Sequence, residues 1–302
     1  MSPALGVLTL VFITLVWGTT FVIVKDALET ISPALLLALR FSTAGLLFGW
    51  VRPPKRTLVP GLILGLLTFA GFATQTLGLV STTASKAAFI TGLSVVLTPL
   101  VSAAWFGNRI PPKAFLAAFV ALAGLGLMTL TGPVGVTLGD VWVLGTALAY
   151  ALYIVYLGEV AAQHSVWALS AVQLWLMAAL AWGWALPQVG TLASVPLSTY
   201  GAILYLAVVA TALISVLQVL AQRVVPAYLA ALIFVLEPVF AAVFAYFVRG
   251  ETLGILGWLG GGLIVAAMLI SEVRWKRSGV SREQKGGEQK EGQRTVSSSS
   301  DL

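Results

Sequence analysis

The chain has 302 residues, of which 59% are hydrophobic and only 9% are charged, whereas about 25% of an average soluble domain is charged. Its mean hydropathy is +0.99. A soluble fold of this size needs a polar surface that 17 basic and 11 acidic residues cannot cover. The composition therefore excludes a soluble enzyme, a nucleic-acid-binding protein and a disordered protein as descriptions of the whole chain. The absence of cysteine also excludes disulfides and thiolate metal sites.

Long apolar stretches divide the sequence from its first residues onward. A helix that spans the bilayer core needs about 20 apolar residues. Backbone polar groups find no water in that core, and no stretch alternates as barrel strands do, so a helical bundle is predicted. The ten predicted spans are 4–24, 33–50, 58–80, 84–106, 113–131, 140–160, 166–187, 198–222, 227–248 and 254–272.

The basic residues between the spans indicate how the bundle is oriented. Nine of them lie in connections on one side of the ten-helix bundle, and three lie on the other side. Cytoplasmic connections are enriched in Lys and Arg, so both termini are predicted to be cytoplasmic. Residues 273–302 are polar, and we expect them to form a disordered cytoplasmic tail.

The two halves of the sequence resemble each other. Gln75 aligns with Gln218 at an offset of 143 residues, and farther along Pro99 aligns with Pro238 at an offset of 139. Five spans in each half would invert the second copy relative to the first. The charges agree with inversion, because three bases lie in the connection after the second span and none lie in its counterpart. Inverted five-helix repeats are typical of transporters that bind substrate near the midplane.

We therefore predict an all-α membrane protein with ten transmembrane helices, built as two inverted five-helix repeats around a central cavity. The first repeat is assigned to 1–131 and the second to 132–272, followed by the tail. A duplicated scaffold without transport activity is the structural alternative. Inversion favours the transporter, because it provides two related conformations that a scaffold does not need.

Three parts of the sequence carry a resemblance to a known family: the run LVWGTTFVIVKDALETISPALLLALRF, the aligned third and fourth spans, and ALAYALYIVY with the later LEPVFAAVFAYFVRG. Together they resemble the EamA pattern of the drug/metabolite transporter superfamily, over nearly all of 4–272. This resemblance implies ten helices around a central cavity and export of small metabolites. Within the superfamily, the sequence resembles bacterial amino-acid exporters of the YddG type, and this resemblance implies a location in a bacterial inner membrane.

Charged residues inside the predicted spans are the first candidates for a site, since each is costly in lipid unless it is paired or hydrated. Glu237 lies near the middle of the ninth span, where it could face the cavity or could stabilise broken backbone before Pro238. Arg40 lies eight residues into the second span, as a structural tie or a substrate contact. An Arg40–Glu237 pair stays open. Lys86 lies in the first turn of the fourth span and could reach the interface.

Matched prolines and glutamines form a second group of candidates. A proline inside a helix removes one backbone hydrogen bond and bends the axis, so Pro99 and Pro238 are predicted to act as hinges or to shape the cavity. Packing kinks are the alternative. Inversion gives Gln75 and Gln218 mirrored depths, which favours two opposite gates over one midplane site, although plain interhelical hydrogen bonds are equally compatible.

Further candidates are hydroxyl and aromatic side chains deep in the spans. Hydroxyl groups could line the cavity or bond to their own helix backbones. Aromatic walls with few polar groups suit an amphipathic organic ligand rather than a bare ion. The hydroxyl candidates are Thr91, Ser94, Thr211 and Ser215, and the aromatic candidates are Trp17, Tyr150 and Tyr153.

Together with the resemblance, these observations predict a secondary transporter that exports amino acids, with aromatic ones as candidates, or related small metabolites by alternating access. The expected partners are a small-molecule substrate and the lipid bilayer. A monomer without a cofactor, a metal or a nucleic-acid partner is expected. No GxxxxGK[ST] motif is present for ATP. The alternatives are a proton-coupled exporter of drugs or other metabolites, a membrane-embedded enzyme and a scaffold.

Overall fold

The structure is a computed structural model that describes residues 1–82, 84–129, 136–240, 243–244 and 254–273, with side chains described outside 84–86, 128–129 and 268–273. All regular elements in these ranges are helical. The predicted boundary between the repeats at 131 and almost all of the predicted tail lie outside the described residues.

The first half of the chain forms seven helices. Two of them begin where a side-chain oxygen accepts an otherwise unpaired N–H, from Leu5 in the case of Ser2 and from Leu35 in the case of Ser32, and each of these caps is followed by a proline in the first turn. The seven are α1 (Pro3–Gly18), α2 (Thr20–Ala27), α3 (Pro33–Leu46), α4 (Lys55–Ser81), α5 (Ala84–Gly92), α6 (Ser94–Phe106) and α7 (Pro112–Thr129).

The second half begins with a reciprocal capping box between Thr137 and Asp140. Its α-helices are α8 (Leu138–Val160), α9 (Val166–Ala185), α10 (Leu197–Ala207), α11 (Ile214–Gln222), α12 (Ala227–Phe234) and α13 (Ile255–Val273). Short 3₁₀ segments cover Ala161–Gln163 and Leu186–Ser194, and a π-helical segment, Val208–Leu213, joins α10 to α11.

Six helical segments are long and apolar enough to cross a membrane, and four shorter helices are also apolar. The long segments are Pro3–Ala27, Lys55–Ser81, Ala87–Phe106, Leu138–Gln163, Val166–Ser194 and Leu197–Gln222; the shorter ones are Pro33–Leu46, Pro112–Leu127, Ala227–Phe240 and Ile255–Ala267. A multi-pass membrane protein follows from these lengths. The number of ten spanning helices and the inverted relation of the two halves stay predictions.

Close helix contacts depend on glycine. Helix α4 packs between α8 and α9. A Cβ atom at Gly139 of α8 would lie 2.5 Å from the carbonyl oxygen of Gly78 in α4, and one at Gly65 would lie 2.8 Å from the Gln173 carbonyl of α9. Lipid supplies no hydrophobic force between helices, so small residues that permit backbone contact contribute much of the packing.

Several predicted spans are interrupted where continuous helices were expected. The first span bends between α1 and α2, the fourth breaks at Leu93, and the eighth contains the π-helical segment. In the ninth span, Val235 and Leu236 donate to carbonyls three residues back, and regular bonding returns at Phe240. Pro238 accounts for this last break, because its nitrogen cannot donate to the Phe234 carbonyl.

Candidate substrate cavity

A cavity with about 780 Å³ of empty space, counting its opening, lies among α1, α2, α4, α5, α6, α8, α11 and α12. The breaks around Leu93 and Val235 both border this cavity, since Gly92, Ser94, Val235 and Glu237 line it. Irregular backbone at membrane depth is tolerated where it lines a cavity, and such breaks mark binding sites in many transporters. This cavity is the candidate site.

Eight of the ten predicted cavity residues line this one space, together with the predicted hinge residue Pro238. They come from six different helices and from the turn after α12, which makes the cavity a product of the whole bundle. The eight are Trp17, Gln75, Thr91, Ser94, Tyr150, Tyr153, Gln218 and Glu237.

Glu237 is the acidic residue of the cavity lining. It comes directly after the break at Val235 and Leu236 and is half-buried. No residue in the described ranges donates a hydrogen bond to its carboxylate or forms an ion pair with it. The alternative of a direct pair with Arg40 is therefore not what the structure shows. A carboxylate placed in this way can accept a hydrogen bond from a cationic group that enters the cavity.

Aromatic rings form much of the cavity wall. Trp17 packs against Phe234, with 5.2 Å between ring centroids, and Phe72 meets Tyr150 edge-on at 6.0 Å. Sequence reasoning missed Phe72 and Phe234, and it also missed the hydroxyl-bearing Thr20 and Thr68. One signal was available, because Thr68, Phe72 and Gln75 are spaced four and three residues apart and so share one face of α4.

The two aligned glutamines line the same cavity. The Gln75 amide donates to Thr91 Oγ1 over 3.4 Å. The Gln218 amide donates to Gln222 Oε1 over 3.2 Å, and Gln222 in turn donates to the Ile154 carbonyl. Gln75 therefore ties α4 to α5, whereas Gln218 bonds within α11 to Gln222, which ties α11 to α8.

Three predicted residues lie outside the cavity lining. Thr211 is buried, where its hydroxyl donates to the Leu206 carbonyl, five residues earlier, over 2.7 Å. Ser215, one turn farther along, is half-buried and does not line the cavity either. Pro99 is buried inside α6, five residues after its start, and not at the helix break. The π-helical segment turns Thr211 away from the cavity, a rotation that regular helical spacing does not predict.

Arg40 is buried at 2% exposure, outside the cavity lining. Its Nε donates to Thr211 Oγ1 over 2.7 Å, and a terminal nitrogen lies 3.5 Å from the Ala210 carbonyl oxygen. The Trp17 indole donates to the same carbonyl over 3.3 Å. Arg40 thus ties α3 to the π-helical segment, as the structural interpretation expected. For Lys86 only the backbone, in α5, is described.

A small polar cluster extends from the cavity towards α9. The Tyr153 hydroxyl donates to Gln173 Oε1 over 3.3 Å. Gln173 and Ser170 are almost completely buried, and the Gln173 amide nitrogen and the Ser170 hydroxyl have no hydrogen-bond partner among the described residues. The hydrogen bond to Gln173 thereby fixes the hydroxyl end of Tyr153, a residue of the cavity lining.

Comparison with known proteins shows the family to which the chain belongs. The EamA-like transporter family matches the sequence twice, over residues 4–130 and 137–272. A protein of Archaeoglobus fulgidus named as an uncharacterized transporter is 31% identical over 88% of this chain and 85% of its own length. The uncharacterized inner membrane transporter YedA of Escherichia coli is 26% identical over 89% of this chain and 90% of its own.

A solved crystal structure shares the fold, with a TM-score of 0.74 over 90% of this chain and 97% of that chain, at 19% identity. The two family matches cover most of the sequence and fit an organisation in two repeats. The chain belongs to the EamA-like transporter family, within the drug/metabolite transporter superfamily, and it is a multi-pass membrane transporter.

Proposed function

We propose that the protein exports amino acids or closely related small metabolites across a bacterial inner membrane. The observation that carries this proposal is Glu237, a carboxylate that lines an aromatic cavity without a hydrogen-bond donor among the described residues. An ionised carboxylate inside a membrane bundle needs a partner or water. The ammonium group of a substrate supplies that partner when the cavity is loaded.

The cavity walls suit the remainder of such a substrate. Trp17, Phe72 and Tyr150 present ring surfaces that bury apolar side chains and attract an ammonium group through cation–π contacts. Gln75 and Gln218 provide amide groups at two further positions. A ligand with a charged end and an apolar side chain matches this lining better than a bare metal ion does. Aromatic amino acids are the members of this class that fill such a cavity most completely.

Alternating access is the proposed mechanism. The helix breaks at Leu93 and at Val235–Leu236 both border the cavity, so rotation about them would move α6 and the chain after Glu237 relative to α5 and α12. Pro238 is the proposed hinge beside the second break. Opening on one side and closing on the other would expose the same residues to each face of the membrane in turn. Both termini are proposed to be cytoplasmic.

Reconstitution into proteoliposomes tests this function. Purified protein should exchange a labelled amino acid from a panel that includes phenylalanine, tyrosine, leucine and glutamate, while empty liposomes should not. The matched variants are Glu237→Gln, which should lose most of the flux, and Ser215→Ala, which changes a hydroxyl outside the cavity and should retain it. Absence of flux for every amino acid, with folded protein confirmed, would contradict the proposal.

Proton-coupled export of drugs or other metabolites is the second candidate, and the same carboxylate favours it. If Glu237 exchanges a proton with the substrate during each cycle, an imposed pH gradient should drive accumulation, and Glu237→Gln should abolish that response. If Glu237 only binds the ammonium group, the pH gradient should have no effect on the rate of exchange. One set of liposomes with and without a gradient therefore separates the two candidates.

A further inference from the structure

Arg40 carries a positive charge into the core of the bundle. Its two hydrogen-bond acceptors, the Thr211 hydroxyl and the Ala210 carbonyl, are neutral. Within the described part of the chain, no carboxylate forms an ion pair with it. Arginine stays protonated in proteins, and an uncompensated buried charge is costly. Neutral groups could clamp α3 to the π-helical segment equally well, so a clamp does not account for the charge itself.

The guanidinium lies directly behind the cavity wall. Its central carbon is 4.5 Å from the centroid of the Phe72 ring, and Phe72 lines the cavity. Phe72 in turn meets the Tyr150 ring edge-on. A single aromatic ring therefore separates the positive charge from the substrate space, and a charge buried in this way is screened less than a charge in bulk water.

The opposite charge lies on the cavity lining itself. Glu237 lines the cavity, as do Phe72 and Tyr150, whose rings meet edge-on. The cavity therefore has a fixed cation behind Phe72 and a fixed anion on its own surface. Such a pair of charges produces a potential that is positive on the Phe72 side and negative at Glu237. A ligand that carries both charges can align with it.

We propose that Arg40 determines specificity by making the cavity select zwitterions over amines. The ammonium group of the ligand binds at Glu237, and its carboxylate lies on the Phe72–Tyr150 side, where the field of Arg40 stabilises it. An amine without a carboxylate gains only the first interaction, and a carboxylate without an amine gains only the second. This inference rests on the proposed function, because it names the charge pattern of the substrate.

Binding to purified protein in nanodiscs tests the inference, with L-phenylalanine, 2-phenylethylamine and 3-phenylpropionate as probes of nearly equal ring and chain size. Calorimetric titration should show that wild-type protein binds the amino acid at least about tenfold more tightly than the amine. The preference should fall to less than about twofold in Arg40→Gln and should largely return in Arg40→Lys, which retains a charge at the same position.

Thr211→Val is the matched control, because it removes the main hydrogen bond of Arg40 but leaves the charge. If Arg40 acts only as a clamp, Thr211→Val and Arg40→Gln should change the preference equally. The inference expects Thr211→Val to retain it. Folding of each variant is checked by its elution as a single species and by its melting curve.

The wild-type comparison keeps the inference falsifiable even if Arg40→Gln does not fold. Equal binding of L-phenylalanine and 2-phenylethylamine to the wild-type protein would overturn it, and so would an unchanged preference in folded Arg40→Gln. Failure of the proposed function looks different. In that case the amino acid would bind with the expected preference but would not cross the membrane in proteoliposomes.

Discussion

The helices of the fourth and ninth predicted spans, one in each half of the chain, are interrupted beside the cavity, and the chain resumes differently after each interruption. In the first half, α5 has nine residues and ends at Gly92, and the chain resumes as α6 with Ser94. In the second half, α12 has eight residues, and the chain resumes at Glu237 after a two-residue turn. Ser94 and Glu237 both line the cavity.

Counted from these breaks, Ser94 corresponds to Glu237. The sequence alignment matches the two prolines instead, which would place Thr98 opposite Glu237. Thr98 is fully buried, and its hydroxyl donates to the Ser94 carbonyl, so it has no access to the cavity. The two halves thus share the backbone interruption but not its chemistry. The second half supplies the carboxylate, and the first half supplies a neutral hydroxyl at the same place.

The largest effect on substrate binding is expected when the Glu237 carboxylate is removed. Glu237→Gln should weaken binding of an ammonium-bearing substrate by about 2–5 kcal/mol, because it deletes one member of a buried charge pair. Ser94→Ala should cost only about 1 kcal/mol, the usual worth of one neutral hydrogen bond. Titration of both variants with the same amino acid measures the contrast. Equal losses would mean that the two positions are chemically equivalent after all.

The glycine at the first break offers the next test. A Cβ atom at Gly92 would lie 2.2 Å from Leu125 Cδ2 of α7, whereas the corresponding Val235 already carries a branched side chain. Gly92→Ala should destabilise the fold by about 1 kcal/mol, the lower end of the overpacking range, because the atom that the Cβ would meet is the end of a Leu125 side chain that can shift. Gly201→Ala is the control, since a Cβ there meets nothing within 4 Å. An unchanged melting temperature for Gly92→Ala would show that the Leu125 side chain of α7 moves aside without a loss of stability.

Replacement of each proline should change the transport rate by a different factor. In Pro238→Ala the restored N–H can donate to the Phe234 carbonyl and close the break, so exchange flux should fall by about threefold or more, roughly 0.7 kcal/mol in the barrier. Pro99 lies within α6, away from its break, and Pro99→Ala should change flux by less than about twofold. Initial rates in proteoliposomes measure both. A larger effect at Pro99 would transfer the hinge to the first half.

The last test is a labelling experiment that should leave stability and transport unchanged. It addresses the proposed inversion of the two halves. Lys55 and Ser194 are exposed residues at the ends of the connections after α3 and α9, which are counterparts in the two repeats. With an inverted second repeat, Ser194→Cys should react with a membrane-impermeant thiol reagent in intact cells. Lys55→Cys and Ser2→Cys should react only after lysis. Labelling of all three from outside would contradict both the inversion and the cytoplasmic terminus.

Much of the candidate site could be predicted from the sequence, because a charged or polar group inside a membrane is costly unless it is paired, hydrated or functional. That rule selected Glu237. Gln75 and Gln218 were selected by their matched positions in the two halves, and Ser94 as a hydroxyl deep in a span. Apolar cavity residues such as Phe72 and Phe234 could not be found in this way. A ring that faces a cavity and a ring that faces the core have the same composition and the same spacing.

Hydropathy and local residue spacing can be read directly from a single sequence. They were sufficient to predict that the protein crosses a membrane many times, that its halves are related and that a carboxylate lies in the middle of a predicted span. They could not predict where the helices break, that both glutamines border one space, or that Thr211 binds Arg40 instead of lining the cavity. Each of these features depends on the rotation of one helix against its neighbours, which is set when the bundle packs. A π-helical segment or a break at Leu93 changes that rotation without leaving a periodic signal in the sequence.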